Sequence, residues 1–170
     1  MLSTRLEEAL NNQMNNEFFS EFEYLSMAAY FHSIDLDGIA NYFHVQAEEE
    51  HFHAMKIYNF INNKGGKIRL KAIKAPTVDF KSPIGVFETA LEHEKFVSKS
   101  INSLMDEAIK ENDHAVNSFL RWYVDEQVEE ESLATKSLNR MKITEGKGEG
   151  LLILDQELAA RTFTPPAAEK

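Results

Sequence analysis

Cysteine is absent from the chain. Disulfides, CxxC redox chemistry, thiolate zinc sites and iron–sulfur ligation are excluded together. Glycine and proline are scarce, with 7 and 4 among 170 residues, which disfavours turn-rich all-β architectures and suits long helices. Charges interrupt every apolar run before it could span a membrane, and the opening Met1-Leu2-Ser3-Thr4-Arg5-Leu6-Glu7 lacks the apolar stretch of an export signal. A soluble cytoplasmic protein of one domain is expected. Acidic residues outnumber basic ones by 28 to 18, for a formal charge of −10, the wrong sign for a nucleic-acid binder.

The lack of positive charge is concentrated. No Lys or Arg occurs between Arg5 and Lys56, while acids stand at Glu7, Glu8, Glu17, Glu21, Glu23, Asp35, Asp37, Glu48, Glu49 and Glu50. A second basic-free window, Trp122 to Thr135, holds Asp125, Glu126, Glu129, Glu130 and Glu131. Acid runs are usually solvated faces. Here several of the acids fall on apolar stripes.

What the chain does contain is helical periodicity, in four long stretches. The first helix is expected from about Thr4 to Ser33, opened by a capping box over Thr4-Arg5-Leu6-Glu7, with Leu10, Glu17, Tyr24 and Phe31 on one heptad line. A short turn with Asp35 or Asp37 as N-cap leads to an antiparallel second helix ending near Asn63, before Gly65-Gly66. On it, Phe43, Glu50 and Ile57 share a stripe, with Gln46, His53 and Phe60 beside them. Residues 65 to 82 lack a helical period. Extended at ~3.3 Å per residue, they reach the length of a long helix and bring the third helix in parallel to the second. Ser82-Pro83 reads as N-cap and first turn of that helix, whose line is Phe87, Glu94, Ile101 and Ala108. Asp113 caps a fourth helix to about Lys142, carrying Val116, Tyr123, Glu130 and Ser137 next to Leu120, Gln127, Ala134 and Met141. A Gly-rich link precedes a short apolar helix at about 151–160 and a tail, 161–170, expected to fray from Thr164. The fold class is all-α: a bundle over about 4–142 with one long crossover and a short fifth helix.

Each long helix thus carries one carboxylate on its inward stripe, near its middle: Glu17, Glu50, Glu94 and Glu130. In a bundle these lie at one depth. A single buried acid neutralised by Lys or Arg is commonplace; four together, with no base in the helical neighbourhood of Glu17 or Glu50, are not. Unpaired ionised acids in a core cost several kcal/mol each, so something positive belongs among them or they are protonated. Two divalent metal ions with His53 as a nitrogen ligand answer that problem, and mixed carboxylate–imidazole ligation suits iron or manganese.

Over essentially its whole length the chain resembles the bacterial non-haem ferritins. The resemblance rests on Glu17 with Tyr24, the Glu-Glu-x-x-His run at Glu49, Glu50 and His53, Glu94, the segment Leu120 to Glu131, and the Gly-rich link before a short fifth helix. It implies that Glu17, Glu50 and His53 hold one iron, with Glu50 bridging, and that Glu94 and Glu130 hold a second beside Gln127. It implies a third iron site at Glu49, Glu126, Glu129 and Glu130, and a redox role for Tyr24. It further implies a ferroxidase that oxidises Fe(II) with O₂ or H₂O₂ and mineralises Fe(III) inside a hollow shell of twenty-four subunits with octahedral symmetry. No haem, nucleic acid or membrane partner is expected. Bacterioferritins and rubrerythrins carry a second Glu-x-x-His on the last long helix, where this chain has Gln127-x-x-Glu130.

Two other readings remain open on the residues. One is a di-iron enzyme that consumes oxygen or peroxide and stores nothing; the other is a structural bundle with protonated core acids. His44, His51, His93 and His114 are expected at the surface or at interfaces, and Trp122 is expected to be packing.

Overall fold

The computed structural model describes residues 2–166. Five helices follow one another: α1 (Thr4–His32), α2 (Asp37–Asn63), α3 (Pro83–Lys110), α4 (His114–Ile143) and α5 (Gly148–Leu158). No strand occurs among the described residues. The first four form an antiparallel α1/α2 hairpin and an α3/α4 hairpin that pack together, and α5 lies against α2 and α4. None of the helices is long and apolar enough to cross a membrane.

The helix boundaries follow local chemistry, with three departures from expectation. The N-cap of α1 is Ser3, one residue before the expected capping box; its hydroxyl accepts from Leu6 N at 3.1 Å. The Glu7 carboxylate does not fold back to complete a box, because it accepts from the backbone of Lys67 at 2.9 Å. At α2 neither Asp35 nor Asp37 caps. Asp35 sits in a left-handed turn conformation (φ 59°) and Asp37 binds His32 Nδ1 at 2.7 Å; the N-cap is Leu36, which supplies no side-chain acceptor. The fifth helix spans 148–158 rather than 151–160. By contrast, Ser82 and Asp113 cap α3 and α4 as their sequences suggest.

Residues 66–80 form an irregular crossover laid along α1. Asn11 and Asn15, one helical turn apart, each bridge it twice: their amides donate to the carbonyls of Lys67 and Arg69, and their oxygens accept from Arg69 N and Lys71 N. Further on, Thr77 N donates to the buried Glu23 carboxylate at 2.9 Å. These side chains satisfy a backbone that has no regular partners of its own. The crossover therefore travels from the start of α1 toward its end, and α3 enters antiparallel to α1. The contacts of Arg5 with Glu107 and of Phe31 with Phe87 mark the two ends of that packing.

The core is divided in two. One apolar half gathers Met27, Phe31, Phe43, Phe87 and Met141 with Leu151 and Leu154 of α5. The other gathers Leu6, Leu10, Ile57, Ile61, Ile101 and Leu120. Between them lies a buried polar layer.

Candidate metal centre

That layer is built from one turn near the middle of each long helix. Heptad phase aims Glu17, Glu50, Glu94 and Glu130 inward, and His53, one turn after Glu50, faces the same way. Glu17, Glu50, Glu94 and His53 are at most 3% exposed, and Gln127 and Glu130 at most 6%. Glu17, Glu50 and His53 each place a ligand atom within 4.8 Å of the other two. His53 Nδ1 stands 3.6 Å from Glu50 Oε2.

The other side of the layer is held by amides. Gln127 Nε2 donates to Glu94 Oε2 at 3.1 Å, and Gln46 Nε2 donates to Glu130 Oε2 at 3.0 Å. The Tyr24 phenol donates to Glu94 Oε1. Around Glu17, Gln13 Nε2 donates to Oε1 at 2.9 Å and is itself anchored by Ser100. Tyr123 donates to the His53 carbonyl at 2.7 Å, tying α4 to α2.

Two carboxylate oxygens stay unanswered: Glu17 Oε2 and Glu50 Oε2 are buried without a hydrogen-bond donor. Burial, reinforced by the neighbouring Glu50, pushes the Glu17 carboxyl up to about 8. Burial and Glu130 push Glu94 up to about 8, and burial with Glu94 and Glu130 drives Glu50 well above the usual carboxylate range. Without a cation these groups favour protonation. An oxygen-rich layer with one imidazole and open lone pairs fits one or two hard-to-borderline divalent ions such as Fe(II) or Mn(II). The same layer could exist as a set of protonated core acids, in which Glu17 and Glu50 hydrogen-bond to one another; deprotonated, Glu17 Oε2 and Glu50 Oε2 have no donor and need a cation.

Glu49, Glu126 and Glu129 lie outside this layer. With Glu130 they line a cavity of about 540 Å³ on the α2/α4 side, with Glu129 exposed at its mouth. Glu49 is pushed up to about 7 by burial, against the pull of Arg161.

The histidines separate by environment. His44, His51 and His114 are exposed, as expected, but His93 is not. Its Nε2 lies 2.7 Å from Ser20 Oγ and its ring meets Tyr24 edge-on, so it buttresses the phenol from behind. Trp122 packs on the His53 ring. Sequence reasoning missed Gln13, Gln46 and His93 as supports. Gln46 stood on the same stripe as His53 and Gln13 one turn before Glu17, so their positions were legible though their partners were not.

A ferritin-like domain family matches residues 7–144. The chain is 42% identical to a bacterial non-heme ferritin of Staphylococcus aureus over 163 residues, covering 96% of this chain and 98% of that one. It is equally similar to the bacterial non-heme ferritin of Staphylococcus haemolyticus. Among solved structures, an open-pore ferritin from the hyperthermophilic archaeon Archaeoglobus fulgidus superposes with a TM-score of 0.94 at 42% identity, covering 95% of this chain and all of that one. An engineered closed form of the Archaeoglobus ferritin superposes with a TM-score of 0.95 at 43% identity, covering 96% and 100%.

Proposed function

The chain belongs to the ferritin family, and from that premise we propose that it oxidises Fe(II) in the buried carboxylate–histidine layer and stores Fe(III) as mineral inside a hollow assembly of its own copies. The observation that carries this reading is the convergence of Glu17, Glu50 and His53, with Glu17 Oε2 and Glu50 Oε2 donorless, in a layer that holds no Lys or Arg among the described residues. Iron is the substrate. Glu17, Glu50 and His53 hold one ion, Glu94 and Glu130 the other, and Glu50 lies between the two groups. Gln127 and Gln46 orient Glu94 and Glu130 through their amide donors.

Two Fe(II) ions together deliver two electrons. With two protons these reduce O₂ to H₂O₂, or H₂O₂ to two waters. The iron supplies the redox chemistry. The protein supplies geometry, negative charge and a dry setting in which that charge acts strongly on cations. When O₂ is carried to two waters, which takes four electrons and four protons, Tyr24, whose phenol donates to Glu94, supplies one electron with its proton and Fe(II) at the third site supplies the other electron. Glu49, Glu126, Glu129 and Glu130 form a third site through which Fe(III) leaves for the interior.

A shell of twenty-four copies with octahedral symmetry is the assembly proposed, from a single ferritin-like domain per chain working in the cytoplasm. Phe22 and Leu25 on α1, Leu70 and Val78 on the crossover, and Leu152 and Ile153 on α5 are large apolar side chains left exposed on the isolated chain, and assembly would cover such surface. The deciding experiment is aerobic Fe(II) loading followed by size-exclusion chromatography, with iron and protein quantified in one peak. Iron retained far beyond the ligands' capacity, in a particle many times 19.5 kDa, is the expected result. Oxidation with only a few irons retained per chain would instead establish a di-iron enzyme without storage.

A further inference from the structure

After α5, residues 159–166 turn back along α2; the rest of the tail expected to fray, 167–170, lies outside the described residues. Asn41 holds this turn, its amide donating to the carbonyls of Leu158, Ala159 and Arg161 at 3.0–3.3 Å. Arg161 is thereby aimed at the cavity lined by Glu49, Glu126, Glu129 and Glu130. Its Nη2 donates to Glu49 Oε2 at 2.8 Å, and its guanidinium lies 4.6 Å over the Tyr42 ring. Two residues on, Phe163 packs against Phe52, and the 162–166 segment covers a second cavity of about 320 Å³ beside His53 and Trp122.

We propose that Arg161 is a tethered counter-cation of the third site: its guanidinium occupies Glu49 when no metal is bound and must leave when a metal takes that carboxylate. This rests on the reading of Glu49, Glu126, Glu129 and Glu130 as an iron site. A carboxylate oxygen engaged by a guanidinium at 2.8 Å cannot also coordinate a metal with full strength, so the two cations compete. The competitor is intramolecular and cannot be diluted away. It is half-buried and held by Asn41, so little ordering is required for it to return. The consequence is a third site that binds cations more weakly than its four carboxylates alone would, and so passes Fe(III) onward. Cations of high charge displace Arg161 best.

The test uses Tb³⁺, a redox-silent trivalent ion with oxygen preference, on the iron-free assembled protein in a Glu50→Gln background, which silences the buried centre whose His53 also packs on Trp122; every variant below is made in that background. Trp122, the only tryptophan, lines the cavity shared by Glu49 and Glu126 and sensitises Tb³⁺ luminescence there. Arg161→Gln is expected to tighten the Tb³⁺ site about tenfold, a coupling of ordinary size between two linked sites. Arg161→Lys should stay close to the parent. Glu49→Gln should abolish the signal, and adding Arg161→Gln to it should change nothing further. Phe163→Ala, which loosens the segment without removing charge, should move affinity in the same direction as Arg161→Gln, and it decides the matter alone if the latter fails to assemble. Unchanged or weakened Tb³⁺ binding in Arg161→Gln, with Glu49→Gln abolishing the signal, overturns the tether and leaves the third site standing. A signal that survives Glu49→Gln overturns both.

Discussion

Gly38 and Asp155 meet backbone to backbone: a Cβ on Gly38 would lie 1.8 Å from the Asp155 carbonyl oxygen. The same aspartate accepts the Ile39 N–H through Oδ1 at 2.8 Å. The opening turn of α2, which has no side-chain cap of its own, is thus capped from α5, more than a hundred residues away.

Gly38→Ala is expected to push α5 off α2 and to destabilise the chain by about 1–3 kcal/mol, the usual range for overpacking. Asp155→Ala, which removes the cap and leaves the space, should cost about 1 kcal/mol. Thermal denaturation of the metal-free protein measures both. A Gly38→Ala protein melting with the parent would show that α5 does not approach α2 this closely.

Glu50→Gln should separate stability from function. The parent buries a carboxyl with one oxygen donorless, so the neutral amide is expected to stabilise the metal-free fold by about 1–3 kcal/mol. Metal-induced stabilisation and Fe(II) oxidation should disappear. Calorimetric melting with and without Zn(II), as a redox-silent stand-in, reads the first effect and a stopped-flow oxidation assay the second. Retained oxidation would remove Glu50 from the centre.

The pH response follows from Glu17 and Glu94, both pushed from an ordinary 4.5 to about 8. Between those values the folded chain holds protons that the unfolded chain has released. Their contribution is therefore fully present below about pH 4.5 and is lost as pH rises through about 8. Metal-free protein should be less stable at pH 8.5 than at pH 6 in urea titrations, and bound Zn(II) should flatten or reverse that slope. Metal binding at pH 7 should also release protons, measurable by calorimetry in buffers of different ionisation enthalpy. Binding that releases no protons at pH 7 would mean that these carboxyls are already ionised.

Tyr24→Phe removes the phenol that donates to Glu94 but keeps the ring against Phe43 and His93. Zn(II) stoichiometry should be unchanged, while single-turnover iron oxidation slows several-fold. Freeze-quench EPR should show a transient tyrosyl signal in the parent and none in the variant. An unchanged oxidation rate would reduce Tyr24 to a packing residue that carries a hydrogen bond.

Much of this protein was written in its periodicity. The heptad lines through Glu17, Glu50, Glu94 and Glu130 specify a face and a depth on each helix, because side-chain direction in a helix depends only on local phase. The same reasoning located His53 and Gln127, the crossover and the caps at Ser82 and Asp113. Phase says which way a side chain points but not what it meets. That Gln46 donates to Glu130, that His93 lies behind Tyr24, and that Asn11 and Asn15 bind the crossover depended on helices brought together from distant parts of the chain. Where the period stops, a segment's length and reach were legible but its path was not. The path of residues 161–166 over α2, and Arg161 on Glu49 with it, was decided by tertiary structure, because an irregular strand takes its course from the surface that satisfies its backbone.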